Sequence, residues 1–286
     1  MYGRSRAVNG RWAVLSGADP PREVSNMPQD VALVTGASSG IGAALARRIA
    51  REGRNVALVA RRLDRLESLA REIERDAKVS AHAISSDLIA PGAPAELVAE
   101  VERRGLTVDW LVNNAGFGTV GRYYKLPVER ELEELRLNVG VLMELTRRFL
   151  PAMVQRGRGA VMNIASMAAF APGPYMATYC ATKAFVLSFS ESIANEVKDT
   201  GVHVLCVCPG FTRTEFQQKA HVETNQLPSF VWMSAEEVAD QAVRGVGHGA
   251  VLVNGRMNSI TTVVTRLIPR GLLTRAVGGF LKPKEA

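Results

Sequence analysis

The chain has 286 residues, 47% of them hydrophobic and 22% charged, which suits one large α/β domain or two small ones. The formal charge is +7, but the basic residues are interspersed with acids and only 6% of residues are aromatic, which argues against nucleic-acid binding. Three cysteines in apolar segments, with no CxxC or Cys/His cluster, argue against a disulfide scaffold and a structural zinc site, so no metal is predicted.

The first predicted segment, residues 1–27, has no clear hydrophobic period and is interpreted as a flexible N-terminal extension. Its longest apolar stretch, residues 12–15, is too short for a signal-peptide core, and no apolar run in the chain is long enough to span a bilayer. We therefore expect a cytoplasmic protein. One domain is expected over residues 28–255, followed by a basic amphipathic tail over residues 256–286.

From residue 31 onwards, short apolar runs alternate with segments in which apolar residues recur at helical spacing. The predicted strands are 31–35, 56–60, 79–84, 108–112, 160–165, 202–207 and 250–253. The predicted helices are 41–52, 63–75, 94–104, 128–156, 177–199 and 235–245, the fourth with an interruption near Pro151. Apolar strands between amphipathic helices indicate a mostly parallel sheet covered on both faces, which is a doubly wound, Rossmann-type α/β domain.

A glycine-rich turn, Thr35-Gly36-Ala37-Ser38-Ser39-Gly40-Ile41-Gly42, joins the first predicted strand to the first helix. Free N–H groups and the helix dipole at such a junction suit a pyrophosphate, because both favour negative charge. A plain tight turn is the alternative. We predict cofactor contacts from the turn residues Gly36, Ser38, Ser39, Gly40, Ile41 and Gly42, with Gly42 allowing the helix to pack on the strand.

The end of the second predicted strand, Val59-Ala60-Arg61-Arg62, contains no acid, and the first acid is Asp64 on the following helix. NAD enzymes usually place an acid here, whereas NADP enzymes place Arg near the 2′-phosphate. Arg61 and Arg62 therefore favour NADP(H), with solvated helix-start residues as the alternative. Asp87 and Leu88, after the third strand, are assigned to the adenine ring, with ordinary loop chemistry as their alternative.

Four polar residues form a candidate catalytic set. Tyr179 and Lys183 are four residues apart on a predicted helix and therefore share a face. A phenol with a pKa of about 10 is a poor acid or base at neutral pH, and a nearby cation such as Lys183 stabilises phenolate and lowers that pKa. Ser166, after the fifth strand, can polarise a carbonyl oxygen, and Asn138 in the long helix can hold a water that relays protons.

The chain resembles the short-chain dehydrogenase/reductase family over roughly residues 29–255. The residues that carry this resemblance are Thr35-Gly36-x-x-x-Gly40-Ile41-Gly42, Asn113-Asn114-Ala115-Gly116, Asn138, Ser166, Tyr179-x-x-x-Lys183 and Pro209-Gly210. The resemblance implies that Tyr179 is the general acid in carbonyl reduction and the base in alcohol oxidation. It also implies that Lys183 binds the nicotinamide ribose, that Ser166 orients the carbonyl, and that Asn138 supports the proton relay.

The resemblance implies further cofactor contacts and an assembly. Asn114, Ala115 and Gly116 would line the ribose side of NADP(H), whereas Asn113 can brace the sheet. The loop over the nicotinamide carboxamide would consist of Pro209, Gly210, Phe211, Thr212 and Thr214. Many NADP-dependent members carry a basic residue where this chain has Ser39, so Arg61 and Arg62 would hold the phosphate without it. A homodimer or homotetramer is expected through the helices at 128–156 and 177–199.

The last part of the chain bears on the substrate, because specificity in this family lies after the sixth strand. Residues 215–233 are polar and then apolar, as expected of a mobile lid. Residues 259–286 mix apolar and basic residues, with Glu285 as the only acid. Such a segment can make peripheral contact with an anionic membrane, pack on a partner subunit, or cover the active site.

The apolar character of both segments favours an apolar carbonyl substrate, such as a 3-oxoacyl chain or a sterol-like ketone, and thus a role in lipid metabolism. The chain is also similar to bacterial members of the family proposed to act on lipids. Two other functions stay open: a non-catalytic dinucleotide-binding sensor or scaffold, and a membrane-surface module that uses the basic tail. The complete set of Asn138, Ser166, Tyr179 and Lys183 argues against a sensor, which needs none of that chemistry.

Overall fold

Alternating strands and helices build the molecule, as the sequence predicts. The computed structural model describes residues 29–216 and 228–282. The strands are β1 Gln29–Thr35, β2 Asn55–Ala60, β3 Ala81–Ser85, β4 Leu106–Asn113, β5 Gly159–Ile164, β6 Val202–Cys208 and β7 Val251–Val253. The helices are α1 Gly40–Ala50, α2 Leu63–Ala77, α3 Ala93–Arg103, α4 Val128–Leu135, α5 Leu142–Arg156, α6 Ala177–Glu196, α7 Ala235–Gly245, α8 Arg256–Leu267 and α9 Arg270–Leu281.

The seven strands form one parallel sheet in the order β3-β2-β1-β4-β5-β6-β7. Successive side chains of a strand point to opposite faces, so the apolar run of β1 fills two core layers. Ala32 and Val34 pack with α1, α2 and α7, whereas Val31 and Leu33 pack with α3 and α5. The predicted doubly wound, Rossmann-type α/β fold is thereby confirmed.

The strand order reverses between β1 and β4, because the chain crosses from the β3 edge back over the sheet at this point. In open α/β sheets, the carboxyl ends of the strands on either side of such a reversal form the crevice that binds ligands. The glycine turn after β1, the segment after β4 and Ser166 after β5 therefore meet at one edge of the sheet. Here the fold positions the candidate site.

The long helix predicted over residues 128–156 is interrupted elsewhere than expected. Pro151 lies inside α5, which continues through it because Phe149 and Met153 on either side are buried against the sheet and hold the helix in place. The irregular turn is a π-helix at Arg136–Val141, which contains Asn138. Single π-turns inside α-helices frequently mark functional sites.

The C-terminal tail is helical and packs on the domain. α8 contacts a short 3₁₀ helix at Met167–Phe170, and Leu273 of α9 is buried. None of the helices within residues 29–216 and 228–282 is both long and apolar enough to cross a membrane. The predicted extension at 1–27 and most of the predicted lid, 217–227, lie outside the described residues.

Candidate active site

The glycine turn adopts a backbone that only glycine tolerates well at two positions. Gly36 has φ +67° and Gly40 has φ +55°. Both residues, with Ser38, Ser39 and Ile41, line a cleft of about 890 Å³. Gly42 lies behind the turn instead, where a Cβ atom would stand 2.4 Å from the Gly36 carbonyl oxygen. Of the two roles predicted for Gly42, packing of helix on strand is therefore the one that its position supports.

Arg62 is hydrogen-bonded to the glycine turn. Its Nη2 atom lies 3.0 Å from the Oγ atoms of both Ser38 and Ser39, and its Nη1 lies 3.2 Å from Glu215 Oε2. Arg65, which the sequence analysis did not single out, donates to the other oxygen of Glu215 at 2.6 Å. Arg65 lies three residues after Arg62, near the start of α2. Because residues three apart share a helix face, the sequence could have indicated that the two arginines lie together.

The other predicted adenine-side residues also line the cleft. Arg61 is exposed, as expected for a side chain that meets a ligand from solvent. Leu88 is buried in the core layer beside α3, and Asp87 Oδ1 accepts the backbone N–H of Ile89 at 3.3 Å. One oxygen of Asp87 thus accepts a hydrogen bond within its own loop, and a contact between Asp87 and the adenine ring stays a prediction.

The segment after β4 is pinned to the end of β1 by Thr35. Thr35 Oγ1 accepts the backbone N–H groups of Asn114 and Ala115 at 2.9 and 3.0 Å. This arrangement holds Asn114, Ala115 and Gly116 along the cleft. Asn113 points into the sheet layer, where its Nδ2 donates to Thr146 and to Asn163, so it braces the sheet as anticipated.

Tyr179, Ser166 and Lys183 converge beside this segment. Tyr179 is 8% exposed and is hydrogen-bonded to the Ser166 hydroxyl. Lys183 Nζ donates to the Ile164 carbonyl oxygen at 2.8 Å and lies 5.7 Å from the centre of the Tyr179 ring. The spacing of four residues on α6 therefore brings the two side chains to one point of the cleft, as predicted.

Burial is the main influence on the pKa of the Tyr179 phenol. Burial raises the pKa of Tyr179 above its ordinary value, although the hydrogen bond with Ser166 opposes this shift, and the charges of Cys180 and Glu134 add to it. Burial also lowers the pKa of Lys183 to about 8. Desolvation of the buried phenol dominates the pKa of Tyr179 in this structure, and the lowering by Lys183 stays a prediction.

Asn138 lies just outside the cleft, and its side chain is fully engaged. Its Nδ2 donates to the Phe117 carbonyl oxygen at 2.9 Å and to Thr182 Oγ1 at 3.1 Å, and its Oδ1 accepts the Phe117 N–H at 3.1 Å. The side-chain amide of Asn138 thus pairs with both backbone groups of Phe117, as the backbone of a neighbouring strand would. A water held by Asn138 stays a prediction.

One residue of electrostatic interest was missed altogether. Glu134 is completely buried one turn before Asn138, and burial raises its pKa to about 7. The sequence around it, Glu129 to Leu135, is rich in acids and is typical of a solvated helix face, so nothing in the pattern marked this glutamate as buried.

The cleft continues past Tyr179 to the C-terminal helices. The loop residues Pro209, Gly210, Phe211, Thr212 and Thr214 line its middle. A Cβ atom on Gly210 would lie 2.4 Å from Asn258 Nδ2, so this loop is pressed against α8. The far wall is formed mainly by apolar side chains, namely Met167, Phe170, Met176, Leu273, Val277, Phe280 and Leu281.

The donor set and shape of the cleft fit a dinucleotide. The start of α1 offers free N–H groups and a positive dipole end for a pyrophosphate, and Arg62 adds a charged donor beside it. The cleft then runs on to the Tyr179 hydroxyl, where a redox-active ring would meet a substrate.

Comparison with known proteins identifies the family. The family model described as short chain dehydrogenase matches residues 30–225. The chain belongs to the short chain dehydrogenase family. It is therefore an oxidoreductase that acts on CH–OH and C=O groups of small molecules with a nicotinamide cofactor, as the sequence predicts.

Three similar proteins illustrate the relationship. The very-long-chain 3-oxoacyl-CoA reductase of Rattus norvegicus is 29% identical over 255 residues, which cover 88% of this chain and 79% of the rat protein. The solved structure of a 7beta-hydroxysteroid dehydrogenase matches with a TM-score of 0.80 and 26% identity, over 87% of this chain and 96% of that one.

The third is a short-chain dehydrogenase from Sphingobium yanoikuyae in complex with NADPH. It matches with a TM-score of 0.72 and 34% identity, over 84% of this chain and 94% of that chain. The cofactor of that complex agrees with the NADP(H) predicted from Arg61 and Arg62.

Proposed function

We propose that the chain is an NADP(H)-dependent reductase that interconverts a ketone and a secondary alcohol on an apolar, lipid-like substrate such as a 3-oxoacyl chain or a sterol-like ketone. The observation that carries the substrate class is the wall beyond Tyr179, where α9 contributes Leu273, Val277, Phe280 and Leu281. A wall of this kind stabilises an alkyl chain or fused rings by about 25 cal/mol per Å² of apolar surface removed from water.

The cofactor would lie along the cleft, beside groups that match its parts. The start of α1 would take the pyrophosphate, and Arg61 and Arg62 would take the 2′-phosphate. Lys183 would donate to the nicotinamide ribose, and the loop at 209–214 would cover the carboxamide. When bound, NADPH supplies the hydride for reduction of the carbonyl carbon.

The proton is supplied by Tyr179. Because burial raises the pKa of this phenol, it is protonated at neutral pH, the form that a general acid needs in reduction. Ser166, hydrogen-bonded to Tyr179, would orient the carbonyl oxygen towards the same proton. The Lys183 ammonium would stabilise the phenolate that is left, and Asn138 would support return of a proton from solvent.

The names of two similar proteins support the substrate class, since one is a very-long-chain 3-oxoacyl-CoA reductase and the other a hydroxysteroid dehydrogenase. A non-catalytic sensor has no comparable support, because it would need none of the four residues Asn138, Ser166, Tyr179 and Lys183.

A homodimer or homotetramer is proposed through α4, α5 and α6. These helices expose large apolar side chains, namely Val128, Leu132, Leu135, Met143 and Phe185. Exposed apolar groups concentrated on neighbouring helices commonly mark a protein–protein interface.

Peripheral contact with an anionic membrane is proposed through the outer side of the tail. Met257, Ile260, Val264 and Leu267 of α8 are exposed by 48 to 81%, and Leu267 by the largest fraction. Basic residues of α9 and its C-terminus, Arg270, Arg275 and Lys282, lie close in sequence. The tail thus combines an apolar outer side with positive charge, and its inner side lines the cleft.

The test is NADPH oxidation by the full chain with three probe classes: 3-oxoacyl thioesters of increasing length, sterol ketones and small polar sugars. We expect kcat/KM to rise with apolar size. Turnover confined to the small sugars would overturn the substrate class. Tyr179→Phe is the matched variant: it should bind NADPH as the wild type does but lose about 10²-fold or more in kcat. Near-normal turnover by that variant would overturn the role of Tyr179.

A further inference from the structure

Glu134 stands under the candidate site in a place where a carboxylate is costly. It is 0% exposed, and burying an ionised carboxylate without compensation is strongly unfavourable. Its Oε2 accepts both the N–H and the hydroxyl of Thr119, at 2.9 and 2.8 Å. Its Oε1 has no hydrogen-bond partner among the described residues. A methionine or leucine would fill this volume without the free-energy cost of burying a carboxylate. The presence of Glu134 here therefore suggests that its contact with Thr119 has a role.

Two side chains one helical turn apart hold alternate residues of one segment. Asn138 binds both backbone groups of Phe117, and Glu134 binds Thr119 twice. Gly118, between them, is pressed against the catalytic ring: a Cβ atom there would lie 2.9 Å from Tyr179 Cδ2 and 3.2 Å from Cγ. The backbone at Gly118 is therefore one wall of the space in which the phenol sits.

We propose that Glu134 is a positioning residue for Tyr179. Glu134 anchors Thr119 and thereby holds the Gly118 backbone against the phenol ring of Tyr179. This inference rests on the proposed role of Tyr179 as the proton donor. Nothing in the family resemblance assigned a role to Glu134 or to Thr119.

The charge of Glu134 adds a pH dependence to this contact. Burial raises the pKa of Glu134 to about 7, the hydrogen bond from the Thr119 side chain opposes the rise, and the charge of Glu131 adds to it. The other ionisable groups that face it are on α6: Lys183, which lowers its pKa, and Tyr179 and Cys180, whose own pKa values its charge raises.

The sign of the effect follows from these contacts. Below pH 7 Glu134 is protonated, and its hydrogen bonds with Thr119 lose their charge-assisted strength. Above pH 7 it is ionised and makes the stronger, charge-assisted hydrogen bonds with Thr119. Reduction by the wild type should therefore rise through an inflection near pH 7.

The experiment compares pH profiles of kcat for NADPH-dependent reduction of a 3-oxoacyl thioester, or of the best ketone in the panel above. Glu134→Gln keeps an oxygen that accepts from Thr119 but carries no charge and does not titrate, so the inflection near pH 7 should disappear and kcat should stay at the low-pH level of the wild type. Glu134→Met removes the anchor. It should lower kcat about tenfold with little change in the KM for NADPH, and it should melt no lower than the wild type, because a buried carboxylate is removed.

Glu131→Gln is the matched control. Glu131 is also buried on α4, but its carboxylate accepts from Thr178 rather than from the segment at 117–119. This variant should keep the inflection and shift it to lower pH, because a charge that raises the pKa of Glu134 is lost.

The experiments can contradict the proposed function and the role of Glu134 separately. Turnover by Tyr179→Phe would contradict the proposed function itself. An inactive Tyr179→Phe together with an unchanged profile in Glu134→Gln and unchanged kcat in Glu134→Met would contradict only the role of Glu134. A loss of thermal stability in Glu134→Met that accounts for its lost activity would also overturn it, since the residue would then be structural.

Discussion

Arg62 donates to the Ser38 hydroxyl at 3.0 Å, so the end of β2 and the glycine turn after β1 form one positively charged pocket. Two separate sequence signals, the glycine turn and the arginine pair, therefore describe a single site. This relationship supports NADP(H) over NAD(H), because a guanidinium beside the glycine turn is a donor suited to a 2′-phosphate.

The arginine pair is predicted to discriminate between the two cofactors. Arg61→Ala combined with Arg62→Ala should weaken NADPH binding by about tenfold or more and NADH binding only slightly, because NADH lacks the 2′-phosphate. Thermal melting with each cofactor measures this directly, since saturating ligand at about 100 times its Kd stabilises by about 2.7 kcal/mol. Arg71→Ala, an exposed change on α2, the helix that follows the pair, is the control. Equal weakening of both cofactors would show that the pair does not read the 2′-phosphate.

Glu215 is predicted to oppose NADPH binding. Its carboxylate contacts both Arg62 and Arg65, and a 2′-phosphate at the same guanidinium would compete with it and be repelled by it. Glu215→Gln should therefore tighten NADPH by about two- to fivefold, which corresponds to the 0.5–1 kcal/mol of a partly exposed ion pair. Direct titration with NADPH and NADH checks this. Tightening of NADH to the same extent would rule out competition with the phosphate.

The strand–helix order and the Tyr179/Lys183 pair could be predicted because each depends on local spacing. Apolar runs separated by helical periods leave few alternatives to a covered parallel sheet, and four residues on a helix fix a shared face. The same spacing could not give the pKa of Tyr179, which depends on burial by residues distant in the chain.

Helix α4 shows where periodicity indicates the wrong face. Val128, Leu132 and Leu135 recur at helical spacing and would be assigned to the core, yet they are exposed by 60, 60 and 48%. Glu131 and Glu134, which look like solvent-facing acids, are buried instead. The sequence pattern alone cannot show whether an apolar stripe of a helix packs on the same chain or on a partner. The burial of Glu134 and Glu131 becomes understandable only from their hydrogen bonds with Thr119 and Thr178 in the structure.

Lys183 is predicted to reduce the stability of the protein. Burial lowers its pKa from 10.5 to about 8, so the folded state releases its proton more easily than the unfolded state. Between pH 8 and 10.5 the unfolded state binds more protons, and the Lys183 contribution to stability therefore rises with pH in that window and is least favourable below pH 8.

Lys183→Met should consequently raise the Tm at pH 7 by several degrees, since a pKa shift of one unit corresponds to about 1.4 kcal/mol. The gain should shrink towards pH 10, and cofactor binding should weaken because the ribose loses its donor. Melting curves of both proteins from pH 6 to 10 check this, and a Tm that falls at pH 7 would mean that the bond to the Ile164 carbonyl outweighs the burial of the cation.

The outer side of α8 is predicted to bind anionic lipid. Its side chains Ile260 and Leu267 are 58 and 81% exposed, and basic residues follow within one turn and along α9. Ile260→Asp combined with Leu267→Asp should abolish co-sedimentation with phosphatidylglycerol vesicles at low salt, because each change removes apolar contact and adds repulsion. Leu63→Asp, an exposed change at the start of α2, is the matched control and should bind as the wild type does. Absence of binding by the wild type, or an unchanged double variant, would assign this surface to another copy of the chain or to solvent.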